Sequence, residues 1–255
     1  RSSHLLELLE SWGLGYDLGL AVRRQLFPGS SLGLRVAGED PALDRIDRDA
    51  LLAYHQQYYR PNNMVLIVVG DVTSARVRAA VEQHAAGIPA APVLPPPPLP
   101  PAVGRGVRVV LRGPNLSDRA AVRVGARTVG GEHPDSGALE VLAEVLSNRL
   151  TDEVRLRLGL VYAIGAYHVT LSDGGYFVIR TESDASRIDT IVAAMRWHLE
   201  RLRTEPVPEL ELREAKESLK GQFALATQSN PSLAWHLAGY AVRCYTVNDP
   251  ARARE

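Results

Sequence analysis

A single cysteine, Cys244, is all the chain has. No internal disulfide can form, and one thiol counts against a cysteine-built zinc cluster. Excess charge is missing too: 29 Lys and Arg stand against 29 Asp and Glu. The balance leaves neither the basic field of a nucleic-acid binder nor the acidic surplus of a solvating tail. Long hydrophobic runs are absent as well. The longest wholly apolar run, residues 64–69, is far short of the roughly 20 residues that cross a bilayer. Neither nucleic acid nor a membrane is therefore an expected partner. There is no phosphate-binding Gly-rich loop, no Gly-x-Ser-x-Gly elbow and no Cys–His nucleophile pair. Gly130-Gly131 lacks a following Lys-Ser/Thr and reads as a turn. No signal peptide is visible. The chain starts at Arg1 in mid-pattern and ends just after a helical pattern, as expected for a piece of a longer protein. Its compartment is not legible.

What is present suffices for a folded core. The chain has 255 residues, 45% of them apolar, enough for one large or two medium domains. Asp47 is a good N-cap for a helix that stops before Pro61. Residues 64–69 read as a buried strand entering a Gly70-Asp71 turn, and residues 74–86 as a helix. From Ala90 to Pro101 the sequence is dominated by proline, which favours polyproline II and suits a semi-rigid linker. Beyond it, 107–111, 119–125 and 176–180 read as strands. Asp135 caps a helix with an apolar face of Ala138, Leu139, Leu142, Val145, Leu146 and Leu150. Residues 184–203 form an amphipathic helix, and Pro208 opens another. Strands followed by groups of helices predict an α+β fold with sheets backed by helices. The expected division is residues 1–90, a linker at 91–104, and a second unit at 105–255.

The most informative stretch is Glu153-Val-Arg-Leu-Arg-Leu-Gly-Leu-Val-Tyr162. It leaves the apolar-periodic helix and enters a strand, with Gly159 as the break. Arg155 is expected near the helix end and Tyr162 on the strand just past the turn. Both are hydrogen-bond donors, and two donors aimed at one oxygen suit an acyl-transfer transition state. Taken alone they are better read as a surface arginine and a half-buried strand tyrosine.

This stretch resembles the C-terminal-domain signature of the inverzincin metallopeptidases, the family of pitrilysin, insulinase and the mitochondrial processing peptidase. There a helix is followed by "S-R-L" and then "E-V-R-E-K-R-G-L-A-Y". Here Ser147-Asn-Arg-Leu150 precedes Glu153-Val-Arg155 and Gly159-Leu-Val-Tyr162. Further similarity lies in Gln25-Leu-Phe-Pro-Gly29, in residues 59–71, in Ala215-Lys-Glu-Ser-Leu-Lys-Gly221 and in residues 229–240. The resemblance implies paired α+β units closing around an extended peptide substrate. It implies that Arg155 and Tyr162 bind substrate backbone and stabilise the oxyanion. The family's His-x-x-Glu-His zinc motif is missing. His4-Leu-Leu-Glu7 is followed by Leu8, and its position is wrong for the motif. Glu7 falls within a residue or so of the family's carboxylate ligand, but with no second ligand to fix the register it is better read as a solvated helix residue. Zinc is thus expected in an assembled enzyme, bound not by this chain but by missing sequence or by a homologous partner subunit. The alternative is a non-catalytic scaffold or substrate-presenting subunit, which the family also contains.

Overall fold

A computed structural model describes residues 14–35, 38, 43–92, 99–101, 107–112, 118–171 and 174–244. His4, Glu7, Ser172, Asp173 and the centre of the proline-rich stretch lie outside the described residues. The fold is α+β. The chain packs into two compact units, one of Arg1–Arg35 with Leu99–Lys220 and one of Val36–Pro98 with Gly221–Glu255.

The first unit holds α1 (Leu14–Leu26), β1 (Val107–Arg112), β2 (Arg119–Thr128), α4 (Ser136–Leu150), β3 (Ile164–Thr170), β4 (Gly175–Asp184), α5 (Ile188–Thr204) and the first turns of α6 (Glu209–Ala226). α2 (Arg48–Tyr58), α3 (Ser74–Ala85) and α7 (Asn230–Cys244) belong to the second. In the first unit the strands form an antiparallel sheet in the order β1-β2-β4-β3. The side chains of β2 alternate between two layers, as pleating requires. Ala120 and Val122 join the buried cluster of Leu146, Leu150, Ile191 and Met195 from α4 and α5. Ala121 points to the other face, where Leu18, Val22, Leu26 and Phe27 of α1 and its C-terminal extension cover it. The i, i+3, i+4, i+7 spacing of Ile188, Ile191, Val192 and Met195 puts all four on one stripe of α5, and all are buried. Each such side chain contributes about 1.5–3 kcal/mol of burial.

Two polar ties hold the helices on. Arg149 of α4 donates two hydrogen bonds to Glu211 of α6, at 2.6 and 2.7 Å. The Ser147 hydroxyl bonds both the N–H and the C=O of Ala166, on the edge strand β3, satisfying backbone groups that an open edge leaves unpaired.

Three expectations change here. Residues 64–69 form no strand, and Met64, Val65, Leu66 and Val68 are exposed. Apolar content makes a segment strand-competent, but a ladder needs a partner, and no strand of the second unit is among the described residues. Asp135 stands at the N-cap of α4 without a side-chain capping bond; its own N–H donates to His133 Nδ1. Ala138 is exposed, and Ala143 takes the buried place on α4. Asp47 does cap α2, accepting from the Ala50 N–H at 2.8 Å.

Candidate functional site

Helix α4 does not stop at Leu150. It continues as seven residues of π-helix, Thr151–Arg157, in which the Leu158 N–H reaches the Glu153 carbonyl. Gly159 then turns the chain with φ +61°, and the Leu160 N–H closes on the Val154 carbonyl. This is the wide-turn counterpart of a left-handed helix cap. A side chain in that conformation costs about 1–2 kcal/mol. Nothing lies within 4 Å of where a Cβ would sit, so Gly159→Ala is expected to lower stability by that backbone strain alone, read as a fall in melting temperature. A wide turn within a helix carries an extra residue per turn and is often found at functional sites.

The segment after Gly159 is not strand. β3 begins at Ile164, so Tyr162 precedes it, which corrects the expectation that Tyr162 lies on the strand. The reason is in the carbonyls. Leu160 C=O accepts from the buried Ser183 hydroxyl, and Ala163 C=O accepts from the buried Thr181 hydroxyl at 2.7 Å. Arg187 adds a bond to the Gly159 carbonyl at 3.3 Å. Side chains of β4 and its extension thus take acceptors that a ladder would otherwise use. Tyr162 sits between two fixed points, with its side chain 85% exposed. The Arg155 guanidinium lies 5.7 Å from the centroid of the Tyr162 ring, so the structure brings the two predicted residues together.

Behind Arg155, the π-helical segment is anchored from below. Val154 is fully buried. Glu153 accepts from Arg157 at 2.6 Å and from His198 Nε2 at 2.8 Å. His198 is 4% exposed, and its Nδ1 is buried without a hydrogen-bond partner. Protonation would place an unpaired N–H there. Burial therefore pushes the imidazole below its ordinary value, against the upward pull of Glu153. The sign follows directly. The unfolded chain takes up this proton near pH 6.5, and the folded chain does so only at lower pH. Stability is complete above about pH 6.5 and declines as pH falls through the folded value. Thermal melts across this range should show a steeper acid-side loss in the native chain than in His198→Gln.

On the other side of Tyr162 is a cavity of about 350 Å³. Its polar walls include Arg119 and Arg123 from β2, Tyr167 from β3, and Arg180 and Glu182 from β4. Arg180 donates to the Tyr167 hydroxyl at 3.0 Å and lies 4.4 Å from that ring's centroid. Gly165 makes the room, because a Cβ there would come within 2.9 Å of the Tyr167 oxygen. The sequence reading missed these residues, along with His198, Thr181 and Ser183. Alternation could have grouped Arg119 with Arg123, and Arg180 with Glu182, on single faces. Only the β2–β4 register sets Arg123 against Arg180.

Residues 45–219 match the family described as the peptidase M16 inactive domain. The chain belongs to this family. The M16 chain is 26% identical over 216 residues to the uncharacterized zinc protease YmxG of Bacillus subtilis, covering 79% of this chain and 49% of that protein. It spans about half the length of the curated relatives it matches. Its fold is that of the peptidase M16 inactive domain from Pseudomonas fluorescens, with a TM-score of 0.78 at 18% identity over 96% of this chain and 60% of that one. It is also that of a chain in complex III2 from Candida albicans, with a TM-score of 0.79 at 18% identity over 97% and 61%. Several relatives are named zinc proteases. Among the described residues of the M16 chain, no three His, Cys, Asp or Glu side chains gather where they could hold a metal ion. The described donor set therefore does not fit zinc. No helix among the described residues is long and apolar enough to cross a membrane.

Proposed function

We propose that this chain is the substrate-handling part of a zinc-dependent peptidase. Sequence outside it, or a homologous partner subunit, carries the zinc. Arg155 grips the backbone of an extended peptide, and Arg155 with Tyr162 donates to the carbonyl oxygen on which negative charge develops. In the family sense the chain divides at the proline-rich stretch into residues 1–90, the linker 91–104 and the unit 105–255. The observation that carries this reading is the Arg155–Tyr162 pair. Both donors are exposed, Tyr162 in the wall of a cavity and Arg155 beside its ring, and the segments that carry them are tied down by buried Ser183 and Thr181 on the backbone and by buried His198 on Glu153.

The test is reconstitution. The chain alone should not cleave a mixed peptide library, and cleavage should appear when it is combined with the zinc-bearing half. A second reading, a non-catalytic scaffold, is favoured by the fold likeness to a chain of complex III2. Reconstituted cleavage that is indifferent to Arg155→Ala and Tyr162→Phe would select that reading.

A further inference from the structure

The sheet face beside Tyr162 gathers arginine side chains. Register places Arg123 of β2 directly opposite Arg180 of β4, and like charges directly opposite across strands are destabilising. Burial and the neighbouring Arg180 together hold the Arg123 guanidinium below its ordinary value, with Glu182 opposing them. A guanidinium remains charged near neutral pH all the same. Arg119 lines the same cavity. Asp184, its cross-strand partner in register, is engaged by Arg187 at 3.1 Å. Among the described residues, the cavity wall carries three guanidinium groups and one carboxylate, Glu182. The plane of Arg180 is set by its bond to Tyr167 and by the ring beneath it, so its fork is oriented before any ligand arrives.

We propose that this cavity is a subsite for a carboxylate of a peptide laid past Tyr162, supplied by an acidic side chain or by the peptide's own C-terminus. Guanidinium forks match the planar, two-oxygen geometry of a carboxylate. Glu182 in the wall penalises a dianion, which favours carboxylate over phosphate. Leu18 and Ile164, also in the wall, suit the aliphatic stem of a glutamate. That the ligand is a peptide rests on the reading of Arg155 and Tyr162 given above; the anion preference rests on the arginines.

The experiment is a titration of the chain followed through arginine Nε–H resonances. One probe pair is N-acetylglutamate α-methylamide against its glutamine counterpart, for a side-chain carboxylate. The other is N-acetylalanine against its methylamide, for a C-terminal carboxylate. Inorganic phosphate is the comparison anion. In at least one pair the acid should bind about tenfold or more tightly than its neutral counterpart, and that pair names the source. Arg180→Gln should abolish the preference. Glu182→Gln should strengthen acid binding several-fold, a gain that misfolding cannot produce. The proposal is overturned if neither pair discriminates, if phosphate binds more tightly than both acids, or if the preference survives Arg180→Gln. None of these results depends on cleavage, so turnover of Tyr162→Phe tests the peptidase reading separately.

Discussion

Tyr162→Phe is expected to lower kcat of the reconstituted peptidase by on the order of 10²–10³. The substitution removes one hydroxyl and nothing else. If that hydroxyl meets the carbonyl oxygen as negative charge builds on it, the loss falls in the transition state. It then appears in kcat, with KM little changed. Arg155→Ala differs, because a guanidinium that also grips ground-state carbonyls contributes to binding. Its loss should raise KM as well as lower kcat. Neither variant should lower the melting temperature by more than about 2–4 °C. Tyr162 is 85% exposed, and its backbone is held through the carbonyls of Leu160 and Ala163 rather than through the ring. The Arg155–Tyr162 contact is worth only about 0.5–1 kcal/mol at an exposed site. Steady-state kinetics with thermal melting alongside separates the outcomes. Unchanged turnover in both variants would point to a scaffold, and lost turnover with a collapsed melting temperature would make the pair structural.

A different kind of loss is expected for Leu150→Ala, of about 2–5 kcal/mol. Leu150 is fully buried at the junction where α-helix gives way to π-helix, within the cluster formed by β2, α4 and α5. Truncation removes the transfer energy of the side chain and leaves a cavity that a sheet and two helices cannot readily fill. Leu156, six positions on, is 68% exposed, and Leu156→Ala should stay within about 0.5 kcal/mol. Urea or thermal unfolding of the two variants reads the contrast. Equal effects would mean that the π-helical segment is not seated on the core as described.

Local patterns in the sequence account for much of this. Apolar spacing of 3.6 specifies α5 and most of the buried face of α4, and alternation specifies β2, because those periods follow from backbone geometry alone. Gly159 marked the end of the helix, since few other residues accept a left-handed conformation. Motif resemblance singles out Arg155 and Tyr162, carrying the spacing of a turn without its shape. Long-range packing decided the rest. The apolar segment 64–69 needed a pairing partner to become a strand, and no local pattern supplies one. Tyr162 was kept off β3 by the hydroxyls of Thr181 and Ser183, about twenty residues downstream. His198 reads as one more polar position on a helix until folding buries it against Glu153. The arginine-lined cavity depends on the registers of β2 with β4 and of β3 with β4. A shift of one residue would send Arg123 and Arg180 to the opposite face, and that choice is made by which alanines and valines α1, α4 and α5 can cover, not by the arginines themselves.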